Sequence, residues 1–105
     1  DVTASETTGT EYSAGGNTLT GNAVSNVANY ATVDFTDSVW GSPTPATFSA
    51  AFGTIYNSSA TNKLVVILDF GGTKSCSNGT FTVTFPSPTS GSPTGADALL
   101  SIKSN

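Results

Sequence analysis

The feature that most constrains this chain is an uninterrupted apolar run, Leu64–Leu68, inside the segment KLVVILDF (Lys63–Phe70). The run is β-branched at its centre and is followed by the pair Gly71 and Gly72. A short run of this kind, bounded by turn residues, is typical of a strand that is buried on both faces. It is too short to cross a membrane as a helix. The sequence therefore predicts a central strand over Leu64–Phe70.

Two further segments, Tyr30–Phe35 and Thr80–Phe85, alternate between apolar and polar residues, as half-buried strands do. The residues expected to face the core are Ala31, Val33, Phe35, Phe81, Val83 and Phe85. The intervening threonines and Asp34 are expected to face outward. We expect Thr80–Phe85 to pair antiparallel with Leu64–Phe70 across a flexible connection at Gly71–Gly79.

The segment Thr47–Tyr56 is compatible with either a helix or a strand. The residues that fit a helical stripe are Phe48, Ala51, Phe52 and Ile55. Alternate residues of Ala50–Tyr56 fit one face of a strand equally well. Gly53 and Thr54 disfavour a helix, so we predict a strand over Ala50–Tyr56. The polar segment Asn57–Asn62 then follows as a turn.

Polar, glycine-rich and proline-rich segments separate these strands. We expect a loose, flexible arm at Asp1–Glu11 and an interrupted strand at Thr18–Val27. Loops are expected at Gly41–Pro45 and Pro86–Gly95, because proline does not fit a central strand. A last short strand is expected at Ala98–Ile102.

The composition agrees with a protein built from strands and turns. Ser and Thr make up about a third of the 105 residues, whereas charged residues make up only 10%. Threonine suits strands, and serine, glycine and asparagine suit turns. The sequence therefore predicts a single all-β domain over residues 1–105. Its expected form is a β-sandwich, immunoglobulin-like or jelly-roll-like, of about six or seven short and mainly antiparallel strands.

The charge of the chain disfavours two classes of partner. The net charge is −4, and the cations are three lysines with no arginine and no histidine. Nucleic-acid binding requires a basic patch, and anionic membranes attract basic clusters. The sequence therefore predicts neither a nucleic-acid partner nor a membrane partner.

Three carboxylates, Asp34, Asp37 and Asp69, are the residues that most resemble a site. Paired carboxylates serve acid–base catalysis or bind calcium. However, Asp34 and Asp37 lie at a strand end and a turn, where aspartate commonly bonds to the nearby backbone. A calcium loop would also require more oxygen ligands than this segment offers. We therefore interpret all three as structural residues.

The single cysteine, Cys76, offers no disulfide within the chain, which favours assembly in a reducing cytoplasm. We expect its thiol to be exposed or half-buried. Without histidine, neither this thiol nor a serine has an imidazole base, and zinc has one strong ligand. The segment Gly71–Ser75 (GGTKS) lacks the spacing of a phosphate loop. The sequence thus predicts no catalytic, cofactor-binding or metal-binding residues, no cofactor and no enzyme activity.

Aromatic side chains and asparagines suggest two kinds of sugar contact. Tyr12, Trp40 and Tyr56 are candidates for a sugar-stacking platform, although a lone tryptophan after an alternating strand is more often a core anchor. We favour the core for Trp40. Asn57 and Asn78 each begin a glycosylation pattern. Such patterns arise by chance in a chain this rich in Asn, Ser and Thr.

Five segments occur in an order that resembles a known family. They are GTEYSAGGNTLT (Gly9–Thr20), ATVDFTDSVW (Ala31–Trp40), IYN (Ile55–Asn57), LDFGGTKS (Leu68–Ser75) and SNGTFTVTF (Ser77–Phe85). This set resembles a group of small virion structural proteins of tailed bacteriophages. Relatives in that group usually carry a further segment before the position of Asp1. Because Asp1 begins the chain without a methionine, we expect the chain to be processed, a fragment or the ordered part of something longer. Relatives also end soon after Phe85.

The resemblance implies a virion component with a β fold and no enzyme activity. We expect a capsid decoration or cement protein, present in many copies, whose partners are the major capsid protein or other virion subunits. It would act in the virion after assembly in the host cytoplasm. Two alternatives stay open: a tail or fibre component that binds host glycans, and a pilin-like filament subunit in which a terminal strand completes the next sheet.

Overall fold

The computed structural model describes residues 5–27, 30–85 and 100–103, and it consists of strands joined by turns. The strands are β1 (Ala23–Val27), β2 (Tyr30–Asp34), β3 (Ser38–Trp40), β4 (Ala46–Asn57), β5 (Lys63–Gly79), β6 (Phe81–Val83) and β7 (Leu100–Lys103). One turn of 3-10 helix, Ser58–Ala60, is the only helical segment in the described ranges. Within those ranges no helix is long and apolar enough to cross a membrane.

The strands form three small sheets in the described part of the chain. One has the order β1-β2-β7, and the other two are the pairs β3-β6 and β4-β5. The pairings of β1 with β2, β2 with β7, and β4 with β5 are all antiparallel. The all-β prediction is confirmed, whereas the arrangement of these sheets as a sandwich stays a prediction.

The chain divides into two compact units. Unit 1 comprises Asp1–Asn17 and Val39–Phe81, and unit 2 comprises Thr18–Ser38 and Thr82–Asn105. The division falls inside the short strands β3 and β6. The prediction of a single domain over residues 1–105 stays a prediction.

The long hairpin β4–β5 dominates unit 1. The strand predicted over Ala50–Tyr56 is confirmed, and it begins earlier, at Ala46. The turn predicted over Asn57–Asn62 is confirmed as well. The side-chain oxygen of Asn57 accepts a hydrogen bond from the Ser59 amide at 3.0 Å, which caps the 3-10 turn. Thr61 then adopts a left-handed conformation, with φ 57°, that ends it.

Two predictions about β5 are wrong. Gly71–Gly79 is not a flexible connection, because β5 continues to Gly79 and pairs with the first half of β4. In addition, the pairing predicted between Leu64–Phe70 and Thr80–Phe85 does not occur, since β5 pairs with β4 and β6 pairs with β3. The serines and glycines of this segment resemble turn residues. Lys74, Ser75, Cys76 and Gly79 nevertheless pair with residues of β4, and this pairing satisfies the backbone groups of both strands.

The two glycines of this segment do mark an irregularity. Ala50 pairs with Lys74 and Phe52 pairs with Asp69, so a single residue of β4 lies opposite Phe70–Thr73 of β5. Gly71 and Gly72 have φ of 72° and 129° there. Glycine adopts positive φ without steric cost, so Gly71 and Gly72 allow β5 to form a bulge between Asp69 and Lys74.

The core of unit 1 is aromatic. Its buried residues are Ala46, Phe48, Cys76 and Phe81. The rings of Phe48 and Phe81 lie 4.8 Å apart, and Trp40 meets them edge-on at 6.0 and 6.1 Å. Trp40 therefore packs in the core, in agreement with its interpretation as an anchor.

The core of unit 2 differs from the sequence prediction for β2. Thr32 is buried, with 2% of its surface exposed, whereas Ala31 is exposed. The prediction that Ala31 faces inward and Thr32 outward is therefore wrong. The strand is the middle one of its sheet, and Thr32 lies between Ser25 and Ser101 of its neighbours. Packing against other segments decides which face of β2 is buried. The Thr32 hydroxyl is tolerated on that face because it has an interaction partner.

The alternation predicted for Thr80–Phe85 is confirmed. Phe81 and Phe85 are buried, Val83 is half-buried and the threonines between them are exposed. In unit 2 the Phe85 ring meets Phe35 edge-on at 6.0 Å.

The segment Asp1–Glu11 is predicted to be a loose arm, but its described residues, from Ser5 onward, contact β4. Thr10 exchanges two backbone hydrogen bonds with Thr47, at 3.1 and 3.2 Å, and the Thr7 hydroxyl donates to the Ser49 carbonyl at 2.7 Å. Residues 1–4 and the predicted loop Pro86–Gly95 lie outside the described residues. The last predicted strand, Ala98–Ile102, corresponds in its described part to β7.

Candidate functional site

The three aspartates do not form a joint site. Asp37 accepts a hydrogen bond from the Phe85 amide at 2.9 Å, and Asp69 accepts one from the Gly71 amide at 2.8 Å. Asp34 is half-buried, and its Oδ1 atom has no hydrogen-bond partner among the described residues. Within those residues no group of three or more His, Cys, Asp or Glu side chains comes together. Two of the three carboxylates therefore serve backbone amides of their own unit.

The thiol of Cys76 is buried, so the expectation of an exposed or half-buried thiol is wrong. Cys76 lies opposite Phe48 in the β4–β5 ladder, and its Sγ atom is 3.7 Å from the Phe48 carbonyl oxygen. The reason is the continuation of β5, which carries this residue into the core instead of leaving it in a surface loop. The neighbouring segment Gly71–Ser75 is exposed and forms the bulge of β5 and the strand after it.

The aromatic residues considered for sugar stacking are engaged within unit 1. The Tyr12 ring stacks on Trp40 at 6.2 Å with an interplanar angle of 20°, and it lies 5.1 Å from Phe48. The Tyr12 hydroxyl donates to Glu6 at 2.8 Å. The Tyr56 hydroxyl donates to the Gly15 carbonyl at 2.8 Å. The Tyr12 ring and the Tyr56 hydroxyl therefore tie the N-terminal segment to the hairpin.

Glu6 is the centre of this hydrogen-bonded group. Its Oε1 atom accepts from the Tyr12 hydroxyl and also from the Gly15 amide at 2.5 Å. The pKa of Tyr12 is raised from 10.0 to about 12. Burial is the largest cause, and the hydrogen bond to Glu6, the charge of Glu6 and the nearby Tyr56 contribute the rest. Tyr12 is therefore a neutral donor over the ordinary pH range, and the group has a structural role.

The most unusual surface of unit 1 is one face of the β4–β5 hairpin. Phe52, Val65 and Ile67 keep 61%, 64% and 57% of their surface exposed. The prediction that Leu64–Phe70 is buried on both faces is thus wrong. Among the described residues of unit 1 no further layer covers this side of the two-stranded sheet, and these apolar side chains stay exposed there.

The ladder explains which residues share this face. Phe52 lies opposite Asp69 and Thr54 lies opposite Ile67, and all four side chains are exposed. The residues on the other face are half-buried: Gly53, Ile55, Val66, Leu68 and Phe70. Near the turn β5 has one extra residue, because Ile55 pairs with Val66 and Tyr56 pairs with Leu64. The bulge turns Leu64 and Val65 to the same side, which enlarges the exposed apolar surface.

We call this surface the open face, defined by Phe52, Leu64, Val65 and Ile67. From the sequence these four residues can be recognised only as apolar, not as exposed. The run Leu64–Leu68 is apolar at every position, so it does not reveal which side chains lack a cover. Contiguous apolar surface of this kind is typical of interaction sites.

The comparisons with known proteins do not identify a family. No protein-family model, no curated protein and no solved structure matches this chain. The resemblance to phage structural proteins therefore gains no support from them. A functional interpretation depends on that resemblance and on the geometry of the open face.

Proposed function

We propose that this chain is a structural subunit of a tailed-phage particle, a decoration protein that binds the capsid shell in many copies. The observation that carries the proposal is the open face of the β4–β5 hairpin, where large apolar side chains are exposed to solvent. The resemblance of Gly9–Thr20, Leu68–Ser75 and Ser77–Phe85 to phage virion proteins supplies the kind of partner. The β-sandwich expected from the strand spacing belongs to the same proposal.

The energetics of such a contact are favourable. Covering a phenylalanine or isoleucine side chain stabilises a complex by about 1.5–3 kcal/mol. Only part of that gain appears as affinity, because association costs translational and rotational freedom. Many copies on one shell multiply a modest gain per site, and a subunit that binds only the intact shell stabilises it by mass action. The partner is the major capsid protein or another virion subunit with an apolar patch.

The first test is mass spectrometry of purified particles of the phage that encodes the chain. We expect the chain in a fixed stoichiometric ratio to the major capsid protein. Its absence from the particles, or a trace amount that varies between preparations, would overturn the proposal.

The second test asks whether the open face makes the contact. Phe52→Ser and Ile67→Thr are added separately to particles that lack the chain, and bound protein is measured after sedimentation. We expect each change to weaken binding by roughly tenfold or more, as expected for losing a buried side chain of this size. Val24→Thr is the matched control, because Val24 is also exposed but lies in unit 2, outside the hairpin.

A further inference from the structure

The N-terminal segment of unit 1 reaches its place by an indirect route. Residues 6–17, which we call the strap, belong to the same compact unit as Val39–Phe81, but the chain between them, Thr18–Ser38, belongs to unit 2. The strap is therefore joined covalently to unit 2 and held in unit 1 by non-covalent contacts. A second copy of the chain can supply the same segment with the same contacts.

The backbone contact of the strap is an addition to a sheet edge. Thr10 exchanges two hydrogen bonds with Thr47, at 3.1 and 3.2 Å, and the Thr7 hydroxyl donates to the Ser49 carbonyl at 2.7 Å. In the described residues β4 has β5 on one side, and the strap lies along its other edge. Main-chain hydrogen bonds at such an edge bind an extended segment of the same chain or of another one.

Tyr12 and Gly9 make this contact selective. The Tyr12 ring lies 6.2 Å from the Trp40 ring and 5.1 Å from the Phe48 ring. A methyl group at Gly9 would overlap the Thr47 carbonyl oxygen and the Phe48 Cβ atom. The edge of β4 therefore accepts a segment that has a glycine at one position and an aromatic ring shortly after it. The strap of every copy meets this requirement.

Contacts inside the strap fix its shape. The Glu6 Oε1 atom accepts hydrogen bonds from the Tyr12 hydroxyl at 2.8 Å and from the Gly15 amide at 2.5 Å. The Gly16 amide donates to the Ser13 carbonyl at 2.9 Å. A segment that is already ordered loses less conformational freedom when it docks. The strap is thus suited to leave one β4 edge and bind another as a preformed unit.

The connection between the strap and unit 2 is short. The Asn17 side-chain amide donates to the Val39 carbonyl at 2.9 Å, and the Thr20 carbonyl accepts from the Thr36 amide at 2.9 Å. Between these two anchored positions lie residues 18–19, which form neither helix nor strand. Short hinges of this kind favour exchange of a segment between copies, and longer hinges disfavour it.

We propose that the strap is exchanged between copies, so that residues 6–17 of one copy lie along the outer edge of β4 of a neighbouring copy. The contacts are those formed within a single copy, so the strap makes the same bonds in both arrangements. Local concentration then decides between them. The proposal rests on the proposed function in one respect, which is that a particle carrying many copies holds them close together.

The exchange has a consequence for the decoration role. Each copy gives one strap and receives one, so neighbouring subunits are linked to one another. The link uses the edge of β4 at Thr47 and Ser49, and it leaves the open face available to the capsid protein.

Disulfide trapping between two different variants tests the exchange. Thr10→Cys and Thr47→Cys are purified separately, mixed at high concentration, held just below the unfolding transition, and then oxidised mildly. In a hydrogen-bonded antiparallel pair the Cα atoms lie about 5.5 Å apart, within the range of about 4.4–6.8 Å for a disulfide. Both positions are exposed to the oxidant. We expect a covalent dimer that contains one copy of each variant.

Ser13→Cys mixed with Thr47→Cys is the matched control, because Ser13 is an exposed residue of the strap whereas Thr10 is the residue paired with Thr47. We expect no cross-link there. The double variant Thr10→Cys with Thr47→Cys is expected to form a disulfide within one copy at low concentration and between copies at high concentration. A disulfide that stays within one copy at every concentration would overturn the proposal, as would equal cross-linking of Ser13→Cys and Thr10→Cys.

The background for these variants is Cys76→Ser, which removes the native thiol. If that background does not fold, Cys76 is retained because it is buried, and the cross-linked peptides are identified by mass spectrometry.

Lengthening the hinge tests the same exchange without cysteines. Insertion of Gly-Ser-Gly-Ser between Thr18 and Leu19 is expected to lower the assembled fraction in sedimentation velocity by at least about threefold, because a longer hinge lets the strap return to its own copy. The same insertion between Ser58 and Ser59, in the β4–β5 turn, is the matched control and is expected to leave that fraction unchanged. Equal effects of the two insertions would overturn the proposal.

The two proposals fail separately. If the chain is stoichiometric on particles but the mixed variants form no disulfide between copies there or in solution, the exchange is overturned and the decoration role stands. If the purified mixture gives the disulfide but particles lack the chain, the decoration role is overturned and the exchange stands.

Discussion

At the residue scale, Tyr12 links the N-terminal segment of unit 1 to the aromatic core. Its ring lies against Trp40 and Phe48, and its hydroxyl donates to Glu6. Burial next to a carboxylate opposes ionisation of the phenol, which raises the pKa of Tyr12 to about 12. The consequence for stability appears only in alkaline solution.

We predict that the free energy of unfolding falls as the pH rises from 10 to about 12, in part because of Tyr12. The unfolded state loses the Tyr12 proton near pH 10.0, whereas the folded state keeps it until about pH 12. This contribution is fully present below pH 10 and is lost as the pH passes through the folded pKa. Urea denaturation of the parent and of Tyr12→Phe checks the prediction, because the variant is expected to show a shallower decline.

Tyr30→Phe is the control for this experiment, since it removes a phenol of unit 2 and leaves Tyr12 in place. An alkaline decline in Tyr12→Phe as steep as that of the parent would contradict the prediction.

A second prediction concerns Gly41, at the end of β3. Its φ is 91°, and a methyl group there would overlap the Gly79 carbonyl oxygen and crowd Ala46. We expect Gly41→Ala to destabilise the protein by more than about 2 kcal/mol, from the combined effects of backbone strain and overlap. Gly71→Ala is the matched control, because its φ is 72° but its surroundings are open. We expect a cost of about 1–2 kcal/mol there. Equal costs in thermal unfolding would show that the close approach at Gly41 has no effect.

At the element scale, the two faces of the β4–β5 hairpin differ in how much they contribute to stability. Phe48 is 7% exposed and packs on Phe81, whereas Phe52 lies on the open face. We predict that Phe48→Ala destabilises the fold by about 3–5 kcal/mol. Phe52→Ser is expected to change stability by less than about 1 kcal/mol. Denaturant titration of both variants checks the contrast, and a large loss in Phe52→Ser would mean that the open face is covered.

The continuation of β5 past its glycines is the second element-scale prediction. Lys74, Ser75 and Cys76 pair with the start of β4, whereas Gly71 and Gly72 bulge out of the ladder. In hydrogen exchange followed by mass spectrometry, peptides covering Lys74–Gly79 are expected to exchange more slowly than those covering Phe70–Thr73. Rapid and equal exchange across Phe70–Gly79 would instead support the flexible connection expected from the sequence.

At the scale of the whole molecule, the core is small in relation to the surface. None of the large side chains in the described residues is below 2% exposure. A chain of this size buries roughly two-thirds of its unfolded surface, which leaves little margin of stability. Association with other copies is one way to gain that margin.

We therefore predict that the thermal midpoint rises with protein concentration, because an assembly of copies is favoured by mass action while the unfolded chain stays monomeric. Differential scanning calorimetry over a wide concentration range checks this. A midpoint independent of concentration in the parent would contradict the prediction.

Features that depend on a few neighbouring residues could be predicted from the sequence. The turn at Asn57–Asn62 follows from local side-chain chemistry, and the burial of Phe81 and Phe85 follows from strict alternation with threonine. The all-β class follows from composition and strand spacing. These features need no knowledge of distant partners, because the favoured backbone conformation is decided within a few residues.

Which apolar residues are covered depends on the packing of distant segments. The run Leu64–Leu68 looks like a buried strand, yet three of its five residues lie on the open face, because the described residues of unit 1 place no layer over that side of the hairpin. Gly71–Gly79 looks like a loop, yet pairing with β4 makes it a strand and buries Cys76. Burial and pairing depend on segments far apart in the chain, so neither the open face nor the position of β5 at a sheet edge of the described residues follows from local sequence.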